Sequence, residues 1–158
     1  MNVQVNRDTG SDQVDTFRDD MEETLSRDEV PLEILSPKQA EAMRRLGDIV
    51  SLPANWDSYG SSPPSRIAIE TVVDLLPRID DRNLPSVRIV PVSGGGVQLE
   101  WRASNRELQL EISADGTAQY LQIEDGRPTM EDEVSPAAEQ IKFLLLWLLP
   151  WVPQRRAA

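Results

Sequence analysis

Residues 97–124 read VQLEWRASNRELQLEISADGTAQYLQIE. Apolar side chains recur at every second position: Val97, Leu99 and Trp101, then Leu108, Leu110 and Ile112, then Leu121 and Ile123. A period of two belongs to strands with one buried face, and Ser104–Asn105 and Asp115–Gly116 supply turn chemistry between the runs. With VRIVPV at 87–92 and the glycines 94–96 ahead of it, the segment predicts a four-stranded antiparallel meander. Pivoting on Ser104–Asn105 pairs Leu99 with Leu110 and Trp101 with Leu108. Pivoting on Asp115–Gly116 pairs Leu110 with Leu121, and pivoting on the glycines pairs Val90 with Leu99 and Val92 with Val97. One face then carries Val90, Leu99, Leu110 and Leu121 in a row. The other carries Gln98, Glu100, Arg102, Glu107, Gln109, Glu111, Tyr120 and Gln122, a polar face open to water or to a partner. Register matters here because a slip of one residue turns a whole strand over.

Helical periodicity lies on either side. LSPKQAEAMRRLGDIVSL (35–52) has Ser36 as cap, Pro37 in the first turn, Gln39 to complete a capping box, and Met43, Leu46, Ile49 and Val50 as its stripe. SPPSRIAIETVVDLL (62–76) predicts a second helix capped by Ser62, with Ile69, Val72, Val73 and Leu76 inward and Pro77 ending it. After a loop containing EDGRPTMEDEV (124–134), Ser135 and Pro136 open a last helix whose IKFLLLWLLPWV (141–152) is apolar nearly all round. Ile141, Leu144, Leu145 and Leu148 suffice for one core stripe. Phe143, Leu146, Trp147 and Trp151 are surplus, for a deeper core or for a subunit contact. The expected architecture is α+β: two N-terminal helices, the four-stranded meander, and a C-terminal apolar helix on one sheet face. The expected division is an acidic, disordered tail over 1–34, one domain over 35–153 and a short tail over 154–158.

Composition narrows the chemistry. The 158 residues carry a formal net charge of −11, and residues 1–34 hold ten acids against three arginines, so seven of the eleven negative charges lie there. Such a tail folds, if at all, on a partner; FRDDMEETL (17–25) could place Phe17, Met21 and Leu25 on one side of a short acidic helix. The charge disfavours direct nucleic-acid binding, which needs basic side chains to displace counterions, and favours a basic partner protein. There is no cysteine and no histidine, which removes thiolate nucleophiles, disulfides, Ser–His and Cys–His pairs and the commonest metal ligands. Carboxylate or hard-cation chemistry remains, with Asp57 or a Glu100/Glu111 pair as its carriers. The GGG at 94–96 precedes no helix and lacks the context of a phosphate loop, and the acids of 124–133 lack the spacing of a calcium loop. No cofactor, metal site or catalytic residue is expected. The start MNVQVNRDTGSD is not a basic-then-apolar leader, and twelve apolar residues near the C-terminus are too few to span a bilayer, so a cytoplasmic protein is expected.

ANWDSYGSS (54–62) joins the two helices. Its Asp57 lies between aromatics in a loop, where functional residues concentrate. The same residues also suit a structural plug, with Trp56 and Tyr59 pinning the loop, Asp57 shaping it and Gly60 taking a positive φ. LPANWDSYGSSPPS (52–65), a helix, then GGVQLEW (95–101) and LQLEISADG (108–116) resemble a family of small bacterial hypothetical proteins. That family's recurrent features are a WDxYG loop and a GGVxLEW strand. The likeness covers roughly residues 40–126. It implies a shared fold and a bacterial or phage origin, implies no mechanism, and groups Trp56, Asp57, Tyr59, Gly60 and Trp101 in one scaffold.

The function expected is a protein-interaction module, such as an antitoxin, immunity factor or accessory subunit. Its partner, or a second copy bound through the C-terminal helix, would meet Asp57, Tyr59, Glu100, Gln109, Glu111, Tyr120, Trp147 or Trp151. A metal-dependent carboxylate enzyme and an acidic mimic of nucleic acid are the alternatives.

Overall fold

The computed structural model describes residues 35–150; the acidic 17–25 segment, the rest of 1–34, and Trp151 with the residues after it lie outside them. The order is α1 (Pro37–Val50), α2 (Arg66–Leu75) with a 3-10 turn (Leu76–Arg78), then β1 (Arg88–Val92), β2 (Gly96–Ala103), β3 (Arg106–Ile112), β4 (Ala118–Glu124), β5 (Arg127–Val134), and α3 (Ala138–Leu148). Among the described residues the fold is α+β, with three helices on one antiparallel sheet in the order β1-β2-β3-β4-β5. Five strands replace the four expected. The segment assigned to a loop forms β5, paired to β4 across the two-residue turn Asp125–Gly126, whose positive φ values of 52° and 73° suit a tight hairpin. Alternation could not reveal β5 because its residues are exposed on both faces up to Val134.

The central register is Leu99 opposite Leu110 and Trp101 opposite Leu108. The two outer registers differ from expectation by one residue: Ile89, not Val90, faces Leu99, Val92 faces Gly96, and Leu110 faces Tyr120, not Leu121. Both turns are a residue longer than a two-residue pivot allows. Ser113 and Thr117 close a loop of three residues ending in Gly116, and Val92 and Gly96 bracket Ser93, Gly94 and Gly95, with Gly94, Gly95 and Gly116 all at positive φ. One slipped residue reverses a strand. Tyr120 and Gln122 therefore lie on the helix side, packed at the core's edge and buried respectively, while Leu121 and Ile123 are half-buried on the open face.

The core joins Ile89, Val97, Leu99, Trp101, Leu108, Leu110 and Ile112 of the sheet to Leu46 and Ile49 of α1, Ala68, Val72 and Leu75 of α2, and Ile141, Leu145 and Leu148 of α3. α1 begins with the full capping box of Ser36 and Gln39. α2 begins three residues later than Ser62: its cap is Ser65, whose hydroxyl accepts from the Ala68 amide. The α2 stripe is accordingly Ala68, Val72 and Leu75, with Val73 exposed. α3 starts after Ala137 rather than Ser135, and no side chain caps it.

A seam of close backbone approaches fastens α2 to the sheet. The Ser65 amide donates to the Gly95 carbonyl (2.8 Å) and its hydroxyl donates to the Ala114 carbonyl (2.7 Å). At Gly96 an added Cβ would lie 2.8 Å from the Ile112 carbonyl oxygen. Gly96→Ala must therefore move β3 backbone, and a loss of about 1–3 kcal/mol is expected, read as a lower denaturation midpoint with unchanged slope in urea.

Candidate functional site

The 54–62 loop is held by its own side chains. Asp57 Oδ1 accepts from the amides of Tyr59 (2.9 Å) and Ser61 (3.2 Å), and Oδ2 accepts from the Ser61 hydroxyl (2.5 Å). Asn55 Oδ1 accepts from the Gly60 amide (2.6 Å), and the Trp56 indole donates to the Ser62 carbonyl (3.1 Å). Asn55, Ser58 and Gly60 sit at φ 62°, 65° and 88°, so the chain is wound tightly around the carboxylate. The Ser61 hydroxyl also meets that of Ser93 (2.8 Å), which sets the loop against the β1–β2 turn. The Ser61 hydroxyl, then the Tyr59 amide, hold Asp57 below the ordinary carboxylate range. Asp57 is thus engaged in shaping the loop, with its acceptors occupied from within. Tyr59 does not pin it: the ring is 93% exposed at the tip. Trp101, by contrast, is buried against the core.

On the open sheet face, rows run across the strands: Arg88, Glu100, Gln109 and Leu121; Gln98, Glu111 and Gln119; Arg102, Glu107 and Ile123. Glu100 accepts from Arg88 (3.2 Å) and Gln98 (2.8 Å), and Glu107 from Arg102 (2.5 Å) and Gln109 (2.7 Å). The Gln109 amide first, then Arg102, hold Glu107 below its usual range despite some desolvation. Glu100 and Glu111 belong to different cross-strand pairs, so the structure does not bring them together as a dyad. Among the described residues no three Asp, Glu, His or Cys side chains gather as a metal-holding group. Tyr120, expected on this face, is on the other side.

The helix side carries the residues that sequence reasoning missed. Arg106 Nε donates to Glu124 (2.9 Å), Nη1 donates to the Trp147 carbonyl (2.7 Å), and the guanidinium lies 5.1 Å from the centre of the Trp147 ring. One side chain thereby ties β3, β4 and the end of α3. Its only sequence signal was position, directly after the Ser104–Asn105 turn. Lys38 donates to the carbonyls of Asp81 (3.1 Å) and Leu84 (2.6 Å), and Gln39 to those of Leu76 and Ile79, so the start of α1 holds the segment between α2 and β1.

The outer flank of α3 is apolar. Phe143 and Leu146, one helical turn apart, are 71% and 60% exposed. Leu146 also lines an open groove of about 350 Å3 with Ile79, Leu84, Leu145, Leu149, Asp80, Asn83 and Lys142. At its rim Arg82 pulls the Asp80 carboxyl down to about 2. Trp147 points to the other flank and is half-buried. No helix among the described residues is long and apolar enough to cross a membrane. Comparison with known proteins finds no matching family model, no similar curated protein and no matching solved structure.

Two outcomes follow from this geometry. Asp57→Asn should lower thermal stability at neutral pH. The folded-state carboxyl titrates below its unfolded value, so its contribution is present above the unfolded pKa and is lost as pH falls through the folded one; the gap between wild type and variant should close on acidification through that range, read by thermal melts. Arg106→Ala should cost about 1–3 kcal/mol, since it strips a charged donor from a carbonyl and a cation from an indole face. Arg106→Lys should recover only part of this, because an ammonium has no fork to span three partners; urea titration followed by tryptophan emission checks both.

Proposed function

We propose that this protein is a non-enzymatic interaction module, of the kind represented by antitoxins, immunity factors and accessory subunits, and that it binds a different protein along the outer flank of α3. The observation that carries the reading is the pair Phe143 and Leu146, exposed together beside an apolar groove. Contiguous exposed apolar surface of this kind costs solubility and is characteristic of contact sites. A helix or apolar ridge of the partner would lay its side chains between α3 and the segment bearing Ile79 and Leu84. The net charge of −11 sets two copies against each other and favours a cationic partner, to which the acids of residues 1–34 add long-range attraction. The cytoplasm is the proposed compartment.

The test uses a photo-crosslinking amino acid at position 143 of the full chain, produced in its native host, with position 73 on α2 as a second exposed apolar position for control. One protein adduct of defined mass from 143 and none from 73 is expected. The same products from both positions, no adduct from either, or an adduct of twice the chain's own mass would overturn the reading. Phe143→Glu with Leu146→Glu should abolish the adduct from a crosslinker placed at Leu149. Because both side chains are exposed, their replacement should change folding stability by no more than about 0.5 kcal/mol.

A further inference from the structure

β5 is an edge strand, and among the described residues β4 is the only strand that pairs with it. Its seven residues from Arg127 to Glu133 are all exposed. Pro128 has no amide to donate and the pairing with β4 shifts register beside it, so the continuous part of the edge is 130–134, where another extended chain can add. The register settles which side chains an added strand would meet. Gln119 faces Glu133 and Leu121 faces Glu131, so Glu131 and Glu133 stand on the open sheet face. Gln122 faces Met130 and Tyr120 faces Asp132, so Met130, 53% exposed, and Asp132 stand on the helix side, followed there by the half-buried Val134.

The charges on this strand select its occupant. Glu100 and Glu107 on the inner strands are each neutralised by an arginine. Glu131, Asp132 and Glu133 have no ion pair among the described residues, and no basic residue lies beside them on β4. A second copy pairing antiparallel through this edge would set acid against acid, which cross-strand neighbours penalise. A strand with Lys or Arg at alternate positions would instead set cations opposite Glu131 and Glu133. The side chain between them would fall opposite Asp132, and those flanking the pair beside Met130 and Val134.

We propose that the free edge of β5 is a strand-addition site for an extended, cationic segment of a partner protein, with basic residues two apart on the open sheet face opposite Glu131 and Glu133, and apolar residues beside Met130 and Val134 flanking the position opposite Asp132. This deepens the interaction reading and rests on it, but it uses a different surface from the flank of α3.

The probe is a fluorescein-labelled ten-residue peptide alternating lysine with valine and threonine, added to the full chain and followed by anisotropy at several salt concentrations. A matched peptide with alternate backbone amides N-methylated keeps the charge and cannot complete a strand ladder. The expected result is saturable binding that weakens at least tenfold on N-methylation and at least tenfold for E131K/E133K, with new amide-exchange protection within 130–134. Equal binding of the methylated peptide would mean charge attraction alone and would overturn the proposal. So would indifference to E131K/E133K, which would place the peptide on the acids of residues 1–34, or absence of binding. If the edge fails while the position-143 adduct persists, only the strand-addition proposal falls; loss of both removes the interaction reading itself.

Discussion

The pairing of β2 with β3 is the constraint on which the rest of the molecule depends. Leu99 against Leu110 and Trp101 against Leu108 give the sheet a continuous apolar wall, with Val97 and Ile112 extending it at one end. Both strands touch α2 and α3, so each of those helices finds its buried stripe opposite the same few side chains. A one-residue slip here would put Gln98, Glu100 and Arg102 under the helices, with no partners for them in an apolar layer. The Ser104–Asn105 turn prevents this. Ala103 pairs with Arg106 directly across it, and Ser104 at φ 56° supplies the required tight reversal.

Apolar burial leaves the ends of the layers free to splay, and polar contacts fix them. At one end Ser65 reaches both the Gly95 and Ala114 carbonyls, and the absence of a side chain at Gly96 lets β2 lie close to the Ile112 backbone. At another, Arg106 holds the end of α3 by the Trp147 carbonyl and indole ring. At a third, Ser36, Lys38 and Gln39 satisfy carbonyls and a carboxylate in the 76–84 segment. Each device satisfies groups that would otherwise be left unpaired where the chain changes direction, which is why the most connected polar residues sit at helix starts and turn exits.

This division explains what could be read from the sequence. The central hairpin was legible because its turn is two residues long and its strands alternate cleanly. The outer registers were not, because Ala114–Asp115–Gly116 and Ser93–Gly94–Gly95 each add one residue that composition alone does not reveal, and that residue moved Tyr120 and Gln122 across the sheet. The α1 capping box was legible because cap and reciprocal residue are three apart. The α2 cap was not, because Ser62 and Ser65 both precede apolar runs and only the second reaches the sheet turns. β5 left no periodic trace, since a strand buried on neither face has no reason to alternate. At the candidate sites, the sequence marked Asp57 both as the notable acid and as a residue suited to shaping its own loop, and the loop's amides and Ser61 hydroxyl fill its acceptors. The contacts of Arg106 join residues 18 and 41 positions away, beyond any local pattern.

The distribution of charge also separates scaffold from available surface. Among the acids of the inner strands on the open face, Arg88 with Gln98 and Arg102 with Gln109 engage Glu100 and Glu107. What is left over among the described residues is Glu111 on that face, the acids of β5 at the sheet's edge, and the apolar flank of α3 at the helical layer. Grease on a helix is a feature that a closed, self-sufficient domain of this size would tend to suppress by polar substitution, whereas acids on an edge turn away neutral and acidic strands and leave only a cationic one admissible. Their coexistence with a core whose buried polar side-chain atoms are all satisfied among the described residues locates the unfinished business of this fold on its outside. That is the physical basis for reading it as one half of an assembly.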